Sequence, residues 1–402
     1  MSGPALTALA DADGRRIDDQ LHRRTAANLR FFSAEAAPIA ALCHQMAERF
    51  ARGGRLIALG ATPADRSDAR HVAVEFVHPV IVGKRALPAL ALGPEGGALA
   101  VQVDLLARTE DVVISFGSDA DAVADGVRAV AVARARGCLT LGFRAGMKAE
   151  WLFDPSADDP MVRQELIETL YHVLWELVHV FFEHRGLLAG RTPRPVHDAG
   201  ASAFLYPFLA ESEVALGPVL EDVRRSVVMK ARETGALRER TLRENGRVLA
   251  DAAADLRRCL SGGGTVFTLG NGGSATDAMD LAADLRAAGH PAVDLTEDTA
   301  IITAIANDIG TEAIFARQVI AHGHRGDALI ALSTSGSSAN VISALAEARR
   351  RDLVSVALVG YDGGRIVSER LADRVIVTPS EYIPRIQEAQ ASAYHVLCEL
   401  VG

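Results

Sequence analysis

At 402 residues, 49% of them hydrophobic and 23% charged, the chain has a globular composition and exceeds one ordinary core, so two domains are expected. Its net charge of −9 argues against a broad nucleic-acid-binding surface, while leaving room for a small phosphorylated ligand in a local pocket. Cys43, Cys138, Cys259 and Cys398 form no C-x-x-C pair, which favours reduced thiols in a cytoplasmic protein over a disulfide framework or a zinc knuckle.

In chain order, the opening MSGPALTALADADGRR lacks the basic-then-apolar order of a signal peptide. A long helical stretch, residues 18–54, leads into the buried strand RLIALG and then a helix. Short apolar strands PALAL, DVVISF and CLTLGF follow, alternating with helices, and the half closes on the helix RQELIETLYHVLWELV. That closing segment carries several Glu and His residues and cannot be a membrane span. Residues 187–215, rich in Pro, Gly and Ala, read as an ordered linker whose Phe204, Tyr206 and Phe208 are expected to pack on a domain surface.

The second half repeats the plan. Helical residues 236–264 lead into TVFTLG, then a helix, then AVDL, DALIALS and SVALVG, and the chain ends on RIQEAQASAYHVLCELV. Aligning the two closing helices pairs Gln164 with Gln387, Tyr171 with Tyr394 and His172 with His395, so a duplication is expected. Continuous apolar runs alternating with helices indicate parallel sheets covered on both faces. The expected division is an N-terminal domain over 18–186, the linker, and a C-terminal domain over 216–402.

Three stretches of the second half suit a phosphate. In LGNGGSATD the glycines allow backbone N–H groups to turn toward an anion at a helix start, although such loops also serve as plain turns. LSTSGSSANV sets four hydroxyls around a glycine between a strand and a helix, whereas an ordinary N-cap needs only one. IANDIG, between helical segments, offers Asn307 and Asp308, or is an ordinary turn.

These motifs, with TAIANDIG and the final helix, resemble the SIS (sugar isomerase) family over residues 238–402, specifically its phosphoheptose isomerase branch. The resemblance implies two flavodoxin-like three-layer α/β/α domains. It also implies a ligand like sedoheptulose 7-phosphate, no nucleotide cofactor, no membrane, and a homo-oligomer (a dimer of tandem chains) with sites at interfaces. By position, Asn271, Gly272, Gly273, Ser274, Asn307, Asp308, Ser333, Thr334, Ser335, Ser338 and Gln387 would hold the substrate. Some SIS proteins bind a protein partner without catalysis, so a sensing module is the alternative to a ketose–aldose isomerase.

Isomerisation through an enediol needs a base, an acid and a polarising group. The branch uses a His and a Glu one helical turn apart, then a Gln and a His on the last helix, and these also hold zinc. In the second half those positions are Asp280, Asp284, Gln387 and His395; the shortened carboxylate handicaps a base that must reach a C–H bond. In the first half they are His71, Glu75, Gln164 and His172, a complete set, but its phosphate loops are degraded to GATPADRS and ISFGSDADAV. One composite site is therefore expected, with Glu75 as base and His172 as acid; a conventional site would use Asp284 and His395. Alternatively the first half is a decayed copy kept for dimerisation, with His71 and His172 as hydrogen-bonded core residues. His179 and Glu183 read as an exposed i, i+4 contact.

Overall fold

A computed structural model of the chain describes residues 3–80, 84–117, 119–155, 157–183, 187–188 and 215–402, with the side chains of 3–13 and 183 outside that description. Almost all of the expected linker, including Phe204, Tyr206 and Phe208, lies outside the described residues. Two compact units emerge. The N-terminal unit is Ala27–Glu233; the C-terminal unit is Thr234–Gly402 together with the segment ending at Ala26.

These bounds cut through the helices Gly3–Ala51 and Leu216–Ser261. The reason is packing. Ile17 and Leu21 are buried, and Arg24 pairs with Glu399 of the last helix at 3.3 Å. Val219, Val223, Val227 and Ala231 join the apolar core of the N-terminal unit, where Asn28 donates to the Ala231 carbonyl at 2.6 Å. Residue 18–26 and 216–233 segments thus belong to the opposite unit from the one a cut at the linker assigns.

The N-terminal unit holds β1 (Leu56–Leu59), β2 (Ala89–Leu92), β3 (Val112–Ser115), β4 (Leu139–Gly142) and β5 (Trp151–Leu152), all parallel, in the order β2-β1-β3-β4-β5. The C-terminal unit holds β6 (Val266–Leu269), β7 (Ala292–Asp294), β8 (Ala328–Ser333), β9 (Val354–Gly360) and β10 (Arg374–Thr378), again all parallel, in the order β10-β9-β8-β6-β7. Read from the first strand of each, both orders are 2-1-3-4-5, the flavodoxin-like arrangement. The edge strands β5 and β10 were not among the expected strands. One has only two residues, and the other is only partly buried.

Strands β1, β3, β4, β6 and β8 are buried throughout, which is why they read as unbroken apolar runs rather than alternating ones. Helices Pro160–Glu183 and Ile383–Val401 are the most enclosed helices: most described side chains of each are buried. Polar residues on them are therefore in low dielectric and need partners. All four cysteines are buried and unbridged. No helix among the described residues is long and apolar enough to cross a membrane.

Candidate functional site

In each sheet the chain runs to one side after its first strand and to the other after its second. The C-terminal ends of the central pair, β1 with β3 and β6 with β8, therefore flank an open crevice. What fills each crevice is decided by the loops.

In the C-terminal unit the loop after β6 ends at Gly272, the N-cap of helix Gly273–Ala287. Gly272 has φ 58°, ψ −125°, which a residue with a Cβ rarely adopts, and no side chain caps the helix. After β8 the hydroxyl loop ends at Ser338, the N-cap of helix Ala339–Arg350, whose own side chain makes no cap hydrogen bond, although Val341 N–H donates to Asn340 Oδ1 at 3.0 Å. Two helix N-termini with exposed donors thus face the switch point, where their dipoles favour an anion.

Gly336 sits between the serines at φ +60°, and a Cβ there would lie 2.1 Å from the Gly363 carbonyl oxygen. The loop is tied by its own hydroxyls. Gly336 N–H donates to Ser333 Oγ at 3.2 Å, and Ser337 N–H to Ser335 Oγ at 3.3 Å. Arg365 N–H donates to Ser337 Oγ at 3.2 Å. The Thr334 and Ser338 hydroxyls make no hydrogen bond among the described residues. Ser274, in the first turn of its helix, is buried.

Asn271 and Asn340 lock the two loops together through reciprocal amide hydrogen bonds of 3.0 and 2.8 Å. Asn340 was not singled out from the sequence, because an Asn in the first turn of a helix carries no signal of a cross-loop partner. Asn307 and Asp308 lie in the last turn of helix Thr299–Asp308, not between helices. They hydrogen-bond one another at 2.7 Å, and among the described residues no hydrogen bond joins them to either loop.

Farther along helix Gly273–Ala287, Asp280 and Asp284 meet His395 of the last helix, and one donor atom of each lies within 4.8 Å of the others. His395 Nε2 is 3.3 Å from Asp280 Oδ2 and 3.5 Å from Asp284 Oδ2. Tyr394 O–H donates to the same Asp280 oxygen at 2.9 Å. Asp280 and His395 are buried, while the Asp284 side chain keeps 17% exposure. Burial first, and then the Asp280 carboxylate, push the Asp284 carboxyl well above the usual range, with His395 opposing. Two carboxylates and an imidazole at this spacing fit a divalent cation, which would offset the charge that burial penalises. Gln387 is buried two helical turns before His395.

The N-terminal unit closes the same crevice. Thr62 caps helix Pro63–Val77 by a capping box: Asp65 N–H donates to Thr62 Oγ1 at 3.1 Å and Thr62 N–H to Asp65 Oδ2 at 3.2 Å. Pro63 has no N–H to offer. After β3, Asp119 caps helix Ala120–Ala135, accepting from Ala122 N–H at 2.8 Å. Both helix starts are satisfied internally, and each carries a carboxylate that repels a phosphate.

Beneath that closed crevice, His71 and His172 meet, their Nε2 atoms 3.3 Å apart. Burial, with His172 adding to it, pushes the His71 imidazole well below its ordinary pKa. The third member of this group is Glu168, with a donor atom within 4.8 Å of both histidines. Glu75, one turn on from His71, is buried but outside that group, and Gln164 is half-buried on the closing helix. Glu168 precedes His172 by one turn, a spacing legible in the sequence, but its aligned position in the other half is Ala391. Matching the halves therefore passed over it.

His179 is no exposed contact. It is buried, with Nδ1 2.8 Å from the Trp175 carbonyl and Nε2 2.9 Å from the Arg85 carbonyl, because its helix is enclosed on all sides.

The family described as SIS domain matches residues 231–360. A phosphoheptose isomerase of Thermodesulfovibrio yellowstonii is 42% identical over 175 residues, covering 42% of this chain and 86% of that protein. A phosphoheptose isomerase of Geobacter metallireducens is 45% identical over 159 residues, covering 38% of this chain and 83% of that protein. Among solved structures, the C-terminal domain of glucosamine-fructose-6-phosphate aminotransferase from Francisella tularensis has a TM-score of 0.60 at 10% identity. It covers 96% of this chain and 94% of that one, a likeness of fold alone.

Proposed function

The chain belongs to the SIS domain family, and on that premise we propose that it is a sugar-phosphate ketose–aldose isomerase working in its C-terminal unit. The substrate is of the sedoheptulose 7-phosphate class. The observation that carries this reading is the pairing, in one unit, of a phosphate-ready crevice with the Asp280–Asp284–His395 group. Seven residues separate Gly273 from Asp280, about 10 Å of helix at 1.5 Å per residue, a span comparable to an extended seven-carbon sugar phosphate.

The remaining N–H groups of the two helix starts, with the Thr334 and Ser338 hydroxyls, bind the phosphate. Asn271, Gly272, Gly273, Ser274, Ser333 and Ser335 shape the loops around it. Asp284, its proton affinity raised by burial, takes the proton from the carbon beside the carbonyl. His395 donates to the carbonyl oxygen, giving the enediol. Return of a proton to the former carbonyl carbon, with loss of the proton from the neighbouring hydroxyl, completes the exchange. A zinc ion held by Asp280, Asp284 and His395, with Gln387 from the same helix as His395, would supply Lewis acidity at the carbonyl oxygen.

We also propose self-association. Helix Thr299–Asp308 is apolar yet has no buried residue, with Ile301 at 38% exposure and Ile309, just past its end, at 56%. A second copy of the chain covering it would place Asn307 and Asp308 at the interface. Sedimentation of the Ile301→Ser, Ile309→Ser double variant tests this: it should run smaller than wild type, and an unchanged size overturns the assignment. Unbridged buried cysteines support a reducing compartment such as the cytoplasm.

The decisive experiment is NMR in D₂O with sedoheptulose 7-phosphate and the zinc-loaded chain. New aldose signals carrying deuterium beside the carbonyl support the reading. Line broadening of unchanged substrate identifies a binding module instead, a reading favoured by the shortened Asp284 side chain.

A further inference from the structure

We propose that the N-terminal unit carries an anion site of its own, outside its sealed crevice, where Arg66 and Arg70 take a small phosphate monoester in exchange for Glu95. This does not rest on the isomerase reading. The first ground is space. A cavity of about 360 Å³ lies between helix Pro63–Val77 and the C-terminal end of the edge strand β2. That volume falls within the roughly 300–1,000 Å³ of small-molecule sites. Arg66, Ala69 and Arg70 line it from the helix, and Leu92, Glu95 and Gln102 from β2 and the residues after it.

The second ground is charge. Arg66 and Arg70 are one turn apart and share a helix face. Both reach the same oxygen, Glu95 Oε1, at 2.5 and 3.2 Å. Two guanidinium groups against one carboxylate leave positive charge in excess, and no other charged residue among the described ones lines the cavity. A phosphate dianion balances both cations and offers each guanidinium fork its own pair of acceptors, which one carboxylate oxygen does not.

The third ground is that the carboxylate can leave. The Glu95 side chain is 51% exposed, against 19% for Arg66, so the acid is the outer partner of a pair that water screens. The chain around it is held independently of the arginines. Gln102 Nε2 donates to the Gly93 carbonyl at 2.8 Å and to the Gly97 carbonyl at 2.7 Å, on either side of Glu95. Glu95 can thus turn outward while its flanks stay in place.

The arrangement is also particular to this unit. With His71 matched to Asp280, Arg66 and Arg70 correspond to Ala275 and Met279. With Ala91 matched to Asp294, Glu95 corresponds to Asp298, which is engaged as the cap of helix Thr299–Asp308. The site is therefore not a remnant of the C-terminal unit's phosphate crevice.

The test is calorimetric titration of the full chain with sorbitol 6-phosphate, a phosphate monoester with no carbonyl to isomerise. Glu95→Gln removes the competing carboxylate and should tighten one equivalent of binding by roughly tenfold over wild type. Adding Arg66→Gln and Arg70→Gln to that chain should remove the same equivalent, whether or not the C-terminal unit binds another. Because the first variant gains binding, its result cannot come from unfolding. A Glu95→Gln chain that binds no more tightly than wild type overturns the proposal and leaves the three residues as a surface ion-pair cluster. An equivalent that persists without the two arginines overturns it as well. Succinate, titrated in the same way, should not occupy the site; if it displaces the phosphate monoester, the assignment of a phosphate ligand fails.

Discussion

The two units share a strand order and differ in what their helix starts do with spare N–H groups. In the C-terminal unit, Gly272 and Ser338 contribute no side-chain cap to the two helix N-termini beside the switch point, where Asn340 Oδ1 takes only the Val341 N–H. In the N-terminal unit, Thr62 with Asp65 and then Asp119 cap the equivalent helix starts, and each cap brings a carboxylate there. The same fold is thus kept open or sealed by a handful of capping residues. A sealed crevice favours stability, at about 1 kcal/mol for a typical cap. An open one forgoes that gain and keeps its donors for a ligand.

The comparison can be attacked at several points, the largest effect first. Asp284→Asn should lower turnover of a sugar phosphate by roughly 10²–10⁴-fold, the usual worth of a positioned acid or base. If Glu75→Gln costs as much in the same kinetic assay, the assignment of chemistry to the C-terminal unit alone fails.

Gly336→Ala should raise KM by at least roughly tenfold and destabilise the C-terminal unit by about 1–3 kcal/mol. Its Cβ would sit 2.1 Å from the Gly363 carbonyl oxygen at a positive φ. A variant with unchanged KM and unchanged unfolding would show that the loop is not the rigid cradle described.

A pH-dependent difference separates the units next. Asp294, at the end of β7, is pushed up to about 6 by burial, with the Thr296 hydrogen bonds opposing. Ala91 holds the matching register position on β2, since Asp294 pairs with Thr268 and Ala91 with Ala58. A carboxyl raised in the folded state contributes most below its unfolded value near 3.9, and that contribution is lost as pH rises through about 6. Asp294→Asn should therefore gain about 1–3 kcal/mol at pH 8 and roughly half as much at pH 5, measured by denaturant unfolding. An equal gain at both values would rule out titration as the cause.

The smallest effect is Thr62→Ala, which should cost about 0.5–2 kcal/mol by loss of the capping box without altering sugar-phosphate binding. Calorimetric titration with the sugar phosphate would check the second half of that statement. A weakened ligand would mean that the sealed unit takes part in binding.

Much of this was legible in the chain itself. Runs such as VFTL and ALIALS are buried on both faces of a parallel sheet, so their apolar continuity marks them directly. The glycine and hydroxyl loops are local in sequence, because consecutive residues form each of them. The grouping of His71 with His172, and of Asp280 with Asp284 and His395, was implied by the resemblance to the phosphoheptose isomerase branch, carried over by position onto both halves.

What the sequence could not fix is whatever depends on contacts between distant segments. Asn340 reaches Asn271 only because β6 and β8 lie side by side. Glu168 joins His71 only because two helices pack, and Glu75, one turn from His71, is left out of that group by the same packing. Likewise the long helices Gly3–Ala51 and Leu216–Ser261 run unbroken through the unit boundaries, which are drawn by where their apolar side chains find a core. Local pattern determines which elements form and which short loops can hold an anion. Tertiary packing decides which side chains share a space, since burial and charge pairing are properties of neighbours in three dimensions rather than of neighbours in the chain.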